Sequence, residues 1–366
     1  MKEQLSPEIK EVLNALHYRP AVSVILPFET KVGLMAELQK ELKYTIDKTE
    51  RQLRDQYPAE LVASVMQKIK ELTADIKIPS GKKGMAIYAS PVYSRLLFLD
   101  EQVPARIVID ESFEVRDLVF SKKQKQQYLL FLLSSERCKL YMGDGRELIP
   151  VKLPSPASVD AYWNDETERV AYFTDPDEYK TTQVEKFIRQ MDKDLLQIIN
   201  SQRLPVFVMG SKTIVGLYKT ITHAGSHIRG YVDGNFEEAS LTQLLTALTP
   251  VYTSWTQKQQ QQLLEQMEQA ASEKKLAVGI QEVWQEATAK KGRILIVEKN
   301  FVAAGEHVTE GKIVYKPTSS QNDFHTSNDV VDDVIELVLQ NGGDVAFTDD
   351  GVLLKFDHIA LIKFYA

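Results

Sequence analysis

The spacing of apolar residues predicts helices alternating with strands in the last ninety residues. Segments 279–289 and 329–340 place apolar side chains three and four positions apart, which is the pattern of a helix with one buried face. Short continuous apolar runs at 294–297, 344–348 and 359–365 predict buried strands. Strands alternating with helices are typical of a parallel or mixed sheet covered by helices.

The middle of the chain has the same kinds of element in another order. Three strands, a helix, a strand and a second helix are predicted in turn at 127–134, 137–142, 147–153, 181–199, 205–210 and 211–220. Residues 240–273 predict long helices broken at Pro250, because proline lacks a backbone N–H and its ring crowds the preceding turn.

The first 120 residues predict a small α/β domain that contains a helical hairpin. A strand bracketed by Pro20 and Pro27 precedes two amphipathic helices at 34–57 and 59–77. Three further strands are predicted at 85–89, 94–99 and 106–110.

Length and pattern together predict an α/β fold in three domains. A chain of 366 residues holds two or three domains of roughly 100–150 residues each. We place their bounds at 1–120, 121–271 and 272–366. Hydrophobic content of 43% and charged content of 26% are ordinary for a globular protein.

The composition indicates the cellular compartment of the protein and the kinds of partner that it can bind. The single cysteine, Cys138, has no partner for an internal disulfide, and the N-terminus has no signal-peptide pattern. No apolar run approaches the roughly 20 residues that span a bilayer, so we expect a cytoplasmic protein without a membrane segment. The net charge is −7, and residues 272–366 carry 10 basic and 15 acidic residues. An acidic chain disfavours non-specific RNA binding.

The predicted loop 154–180 combines aromatic rings with acidic side chains. Residues 160–178 hold seven acids and one base, Arg169. Such a mixture suits contact with a protein or a cationic ligand, and the alternative is that the rings fold back onto the core of their own domain. The candidate interaction residues are Tyr162, Trp163, Asn164, Glu166, Arg169 and Tyr172.

The order and spacing of the C-terminal elements resemble the third domain of the archaeo-eukaryotic peptide chain release factors and of Pelota. The residues that carry the resemblance are Val278–Ala287 with Gly292–Val297, and Asn341–Phe347 with Ile359–Tyr365. In the middle region, the strand ending at Gly210 and the helix with Tyr218 and Lys219 are similar to the family's ribonuclease-H-like second domain.

The first region fits bacterial relatives of this family. The similar segments are Val22–Pro27, Gly84–Ser90 and Ile109–Arg116. The resemblance implies an N-terminal α/β domain, a ribonuclease-H-like middle domain and a C-terminal α/β sandwich. It also implies a protein partner bound near 279–285 and the loop 300–328. No stop-codon motif of the true release factors is present, so decoding is not implied.

The catalytic Gly-Gly-Gln motif of true release factors is absent from the chain. The segment 154–180 contains neither glycine nor glutamine, and the one Gly-Gly pair, Gly342-Gly343, is followed by Asp344. A loop with the acidic balance of residues 160–178 would be repelled by ribosomal RNA phosphates. The family's hydrolytic mechanism is therefore not expected.

Other motifs give no active site. His223 and His227 have helical i, i+4 spacing, but Gly225 and Ser226 favour a loop and no third metal ligand is obvious. The segment Gly210–Thr213 resembles the end of a phosphate-binding loop, but Pro205 stands where the first glycine is needed. We predict no catalytic residue, no metal and no cofactor.

Three functional hypotheses follow. The first is a non-catalytic, release-factor-like binding factor in translation-linked quality control or stress response, with the ribosome, tRNA or a protein as partner. The second is a ribosome-rescue peptidyl-tRNA hydrolase that uses Asn164 or Gln183 to orient water. The third is an enzyme whose site the sequence does not reveal.

Overall fold

The computed structural model describes residues 6–15, 18–28, 35–79, 81–124, 127–165, 176–303, 305–308, 312–315 and 329–365. The described chain groups into two compact units. Residues 1–124 and 264–366 form unit 1, and residues 125–263 form unit 2. The three-domain bounds drawn from the sequence remain a prediction.

The first part of unit 1 is an antiparallel sheet in the order β3-β2-β1-β4. Its elements are α1 (Pro7–Leu13), β1 (Ala21–Pro27), α2 (Met35–Gln56), α3 (Ala59–Thr73), β2 (Gly84–Ala89), β3 (Ser94–Leu99), β4 (Arg106–Asp110) and α4 (Arg116–Gln124). The predicted hairpin is α2 with α3, and it buries its apolar face on Val22, Val24 and Leu26 of β1. Successive strand residues point to opposite faces, so Ala21 and Ile25 face a second core.

Unit 2 is built on a five-stranded mixed sheet in the order β7-β6-β5-β8-β9. Its elements are β5 (Tyr128–Leu133), β6 (Cys138–Gly143), β7 (Leu148–Val151), α5 (Val159–Asp165), α6 (Pro176–Gln202), β8 (Val206–Gly210), α7 (Lys212–Ile221) and β9 (Ile228–Asp233). Helices α6 and α7 cover one face, and the other face packs against residues of the following helix.

That helix, α8 (Leu241–Ser272), corrects one prediction. We expected a break at Pro250, and the helix runs through it. Leu244 and Leu248 before the proline, and Val251 and Tyr252 after it, pack in the same core against the sheet. Packing on both sides of the proline stabilises the continuous helix, although Pro250 itself is exposed.

The rest of unit 1 is a mixed sheet in the order β10-β15-β11-β14 with two helices, plus a separate two-stranded ribbon. Its elements are β10 (Leu276–Val278), α9 (Gly279–Thr288), β11 (Gly292–Glu298), β12 (Gly305–Val308), β13 (Lys312–Tyr315), α10 (Val330–Gln340), β14 (Asp344–Thr348) and β15 (Ile359–Lys363). Strands β11 and β14 are parallel, and β15 is antiparallel to β11. The predicted α/β class is confirmed, while α1, α4, α5, β9, β10, β12 and β13 were not predicted, and α5 lies where a loop was expected.

One hydrophobic core joins the two ends of the chain within unit 1. Ile9, Tyr88 and Leu118 from the N-terminal part share it with Val283, Leu295 and Val334 from the C-terminal part. Phe120 meets Phe347 edge to face with ring centroids 5.3 Å apart. The two ends therefore bury apolar surface against each other.

A buried charged cluster lies on the same contact. The guanidinium of Arg116, which is fully buried, donates to Asp329 Oδ2 at 2.9 Å and to the carbonyls of Glu298 and Lys299. The backbone N–H groups of Val115 and Arg116 donate to Asp332 Oδ1 at 3.0 and 2.7 Å. These hydrogen bonds, of which the Arg116–Asp329 pair is charge-assisted, hold α4 against α10.

Candidate functional site

The structure describes only part of the predicted interaction loop. Tyr162 lies on α5, and its ring meets the buried ring of Phe187 edge to face at 5.9 Å. The backbones of Trp163 and Asn164 belong to the same helix. Glu166, Arg169 and Tyr172 lie outside the described residues. The Tyr162 contact fits the alternative of a ring folded onto its own domain, and the role of the other five residues remains a prediction.

A cavity of about 620 Å³ lies in the C-terminal part of unit 1. Helix α9 supplies one wall through its first turns, and two loops supply the other. The lining residues are Val278, Gly279, Ile280, Gln281, Glu282, Gln285, Phe301, Asp357 and His358. Its volume is typical of sites that hold a small ligand or a protruding side chain.

Backbone geometry shapes this cavity at the start of α9. Gly279 has φ +75°, a conformation that side chains other than glycine rarely adopt. A Cβ atom at this position would also lie 3.2 Å from Asp357 Oδ2. Glycine therefore allows the loop before β15 to approach the helix N-terminus. Glu282 caps the same turn, because its Oε2 accepts the N–H of Val278 at 2.9 Å.

The opposite wall is a histidine held by a buried carboxylate. Glu298, at the end of β11, is 3% exposed, and its Oε2 lies 2.7 Å from His358 Nδ1. Its Oε1 accepts the N–H of Leu353 at 2.7 Å. Burial alone would raise the pKa of Glu298, but the hydrogen bonds from His358 and Leu353 outweigh it and the pKa is lowered. Because an ionised carboxylate can only accept a hydrogen bond, the proton in this contact lies on Nδ1 of His358.

His358 is fixed in two further ways. Its ring stacks on Phe301 with centroids 5.3 Å apart and planes at 21°. Asp357 and His358 have φ +50° and +65°, so both occupy the left-handed region. Strained backbone of this kind persists where surrounding contacts hold it, often at binding sites.

The lining side chains can bind a ligand through polar groups. The polar groups present are amides, carboxylates and the imidazole, which bind ligands through hydrogen bonds and charge.

Sequence reasoning found one wall of this cavity and missed the other. The predicted partner surface at 279–285 lines it, as does Phe301 from the predicted loop 300–328. The remainder of that loop is described only at 300, 302–303, 305–308 and 312–315. Glu298, Asp357 and His358 were missed. The available signal was a glutamate ending the apolar run Ile294–Val297, since a carboxylate at the end of a buried strand needs a partner.

The two histidines considered for metal binding lie in unit 2. Asp192 is buried and accepts hydrogen bonds from the hydroxyls of Tyr218 and Thr222, both at 2.7 Å, and from the N–H of His223 at 2.9 Å. These bonds tie α6 to the end of α7. Across the described part of the chain, no three His, Cys, Asp or Glu side chains are grouped to hold a metal ion. Within the same residues, no helix has the length and apolar character needed to span a membrane.

Comparison with known families gives one match. Residues 127–292 match the model of the bacterial archaeo-eukaryotic release factor family 3. The matched segment covers most of unit 2 and continues through α9, so it includes the cavity wall at 278–285. No curated protein matches the sequence.

Solved structures of Pelota proteins and of Dom34 align at low identity. An archaeal Pelota in a ribosome-bound model with ABCE1 aligns at 9% identity and TM-score 0.44, covering 100% of this chain and 95% of that one. Dom34 of S. cerevisiae aligns at 14% identity and TM-score 0.41, covering 80% and 76%. Archaeoglobus fulgidus Pelota aligns at 9% identity and TM-score 0.33, covering 77% and 80%.

Proposed function

We propose that this release-factor-like protein is a non-catalytic binding factor in translation-linked quality control or stress response. The observation that carries the proposal is the family match over residues 127–292. The protein would act in the cytoplasm, where it would meet the ribosome and a protein partner. The cavity between α9 and the loop at 357–358 is the surface that we assign to the protein partner.

The absence of Gly-Gly-Gln supports a binding role over hydrolysis. In the release-factor mechanism, glycines allow the backbone conformation that brings the glutamine to the peptidyl-tRNA ester. The segment 154–180 offers neither residue type. Gln183, one of the two substitutes considered, lies on helix α6. Its backbone is therefore held in helical geometry.

Ribosome co-sedimentation tests the proposal directly. Tagged protein from lysate would be centrifuged through a density gradient at low and at moderate salt. We expect a fraction to sediment with ribosomes or subunits and to remain there at moderate salt. Protein that stays at the top of the gradient under both conditions would contradict a ribosome-linked role.

A hydrolysis assay tests whether the protein lacks peptidyl-tRNA hydrolase activity. Purified protein would be incubated with ribosomes that carry peptidyl-tRNA, and released peptide would be measured. We expect no release above background. Release that disappears in Asn164→Ala or Gln183→Ala would instead establish the rescue-hydrolase hypothesis.

Removing residues 272–366 is a poor test of the partner surface. The core of unit 1 contains side chains from both ends of the chain, so the deletion would also expose Ile9, Tyr88 and Leu118. Point changes on the cavity surface keep that core intact and are the better probe.

A further inference from the structure

We infer that the cavity beside α9 receives an arginine or lysine side chain of the protein partner. The inference rests on the proposed function, because it names the chemistry of the partner at the same site. Four features carry it: the charge of the walls, the aromatic surface, the apolar loops around the cavity and the charge of the surrounding segment.

The first feature is the charge of the cavity walls. Glu282 and Asp357 present exposed carboxylates, and Glu298 adds a buried one behind His358. Among the described lining residues neither lysine nor arginine is present to neutralise them. Glu298 is occupied by its hydrogen bonds to His358 and Leu353, so the exposed carboxylates of Glu282 and Asp357 are the groups placed to attract a cation.

The N-terminus of α9 does not reverse this sign. A helix N-terminus attracts anions, but the carboxylate of Asp357 already lies against Gly279 at the start of the helix. Glu282 accepts the N–H of Val278 in the same turn. Two carboxylates of the protein therefore offset the positive end of the helix dipole.

The second feature is an aromatic surface suited to a flat cation. Phe301 and His358 stack and both line the cavity. A guanidinium group stacks on such rings while its N–H groups donate to carboxylates, and an ammonium group is also attracted to a ring face. The amides of Gln281 and Gln285 line the same side of α9 and offer acceptor oxygens.

The third feature points to a protein as the source of the cation. The loops after β11 and β14 are joined, because Lys299 pairs with Asp349 and Asn300 donates to Asp350. These loops carry three exposed apolar side chains, namely Val302, Val352 and Leu354 at 49%, 41% and 65% exposure. Apolar contacts beside a charged pocket match the composition of a protein interface.

The fourth feature is the charge around the cavity. Residues 272–366 carry 10 basic and 15 acidic residues, which favours a basic partner at longer range. Long-range attraction and the local carboxylates act in the same direction, so binding is expected to weaken as salt increases.

A peptide titration tests the inference on the full-length protein. The probe is a fluorescent peptide of glycine, serine and two arginines, followed by anisotropy, and its neutral analogue replaces each arginine with citrulline. Two variants remove charge but keep hydrogen bonding, namely Asp357→Asn and Glu282→Gln. Asparagine tolerates the left-handed backbone at position 357, and glutamine can still cap Val278. Glu268→Gln, on an exposed position of α8, is the matched control.

We expect the arginine peptide to bind at least tenfold more tightly than the citrulline peptide. Each cavity variant should weaken arginine-peptide binding roughly tenfold, as expected for one lost charge-assisted contact. Glu268→Gln should leave binding unchanged. Equal binding of the two peptides, equal loss in all three variants or no binding of the arginine peptide would each overturn the inference.

Two further arms separate this inference from the proposed function. Free argininamide that competes as tightly as the peptide would indicate a small cationic ligand. That result would overturn the inference that the cation belongs to a protein partner. Ribosome sedimentation without peptide binding would leave the proposed function standing and remove only the pocket chemistry. Peptide binding at the cavity without ribosome sedimentation would keep the pocket chemistry and remove the translation role.

Discussion

Arg116 connects the two ends of the chain at the scale of a single side chain. It is fully buried and makes contacts with Asp329 and with the carbonyls of Glu298 and Lys299. A buried arginine with these partners is stable only while each charge is compensated. Removing Arg116 therefore has a large effect on the stability of unit 1. This holds even where the intact cluster contributes little net free energy of folding.

Arg116→Met should lower the free energy of unfolding of unit 1 by about 3–5 kcal/mol, because Asp329 loses its buried partner. Denaturant titration of the full chain measures the change. The matched control is Arg54→Met, since Arg54 pairs with Glu50 on an exposed face of α2 and should contribute less than about 0.5 kcal/mol. Similar small losses in both variants would contradict the assigned role of Arg116.

Two glycines in unit 2 give opposite expectations for the same substitution. A Cβ on Gly210 would lie 2.5 Å from the carbonyl oxygen of Leu133 in the paired strand, so Gly210→Ala should destabilise unit 2 by about 1–3 kcal/mol. Gly216 lies inside α7, and no atom beyond its chain neighbours and the adjacent helix backbone lies within 4 Å of the added Cβ. Gly216→Ala should therefore stabilise the unit by about 0.5–1 kcal/mol. Thermal unfolding of both variants measures these effects. Destabilisation by both substitutions would contradict the open surroundings assigned to Gly216.

At the scale of elements, the contact between α4 and α10 gathers carboxylates around two arginines. Glu114 and Asp117 face Arg106 at 3.6 and 4.0 Å, and Asp329 and Asp332 come from the start of α10. Burial, together with the charges of Asp329 and Asp117, raises the pKa of Glu114 to about 8. Burial also raises the pKa values of Asp117 and Asp332, the latter with Glu114 as the next cause.

This cluster predicts that unit 1 loses stability as pH rises from about 5 to about 8. Folded Glu114 keeps its proton to about pH 8, whereas unfolded glutamate releases it near the ordinary value of 4.5. The folded state binds more protons between these values, so its advantage is complete below 4.5 and is lost by about 8. Denaturant titrations across this range should give a falling curve, and Glu114→Gln should flatten it. Glu298 acts in the opposite direction, because its pKa is lowered and its contribution is lost on acidification.

A stability curve that rises over the same pH range, or one unchanged by Glu114→Gln, would contradict the prediction that Glu114 is protonated in the folded state. Glu71→Gln serves as the control, since Glu71 is exposed on α3 and accepts a hydrogen bond from Gln67. Its replacement should leave the pH dependence as in the parent protein.

At the scale of the whole molecule, the chain forms two compact units, and unit 2 lies within the sequence of unit 1. The larger unit depends on residues far apart in sequence, so its core cannot be complete until both ends are present. The core of unit 2 is assembled within residues 128–255.

Calorimetry of the full chain should therefore show more than one unfolding transition, since separate cores need not unfold together. Arg116→Met should shift the transition of unit 1, and Gly210→Ala should shift the transition of unit 2. A single transition that moves equally with both variants would show that the units unfold as one cooperative body.

The sequence by itself determined the α/β class, the helical hairpin α2–α3, and most strands of the three larger sheets. Local periodicity carries that information, because a helix or strand with one buried face repeats its apolar residues at a fixed interval. It also showed that Gly-Gly-Gln is absent and drew attention to residues 279–285. These features depend on residues close together in the chain.

The tertiary structure alone decided what meets across the chain. Helix α8 continues through Pro250 because packing on the sheet outweighs the local cost of proline. Arg116 meets Asp329, and Glu298 orients His358, across separations that no local pattern records. Gly279 lets a loop that is distant in sequence approach α9, and residues of both line the cavity. Burial and charge pairing act between residues that folding brings together, which is why sequence periodicity could not predict them.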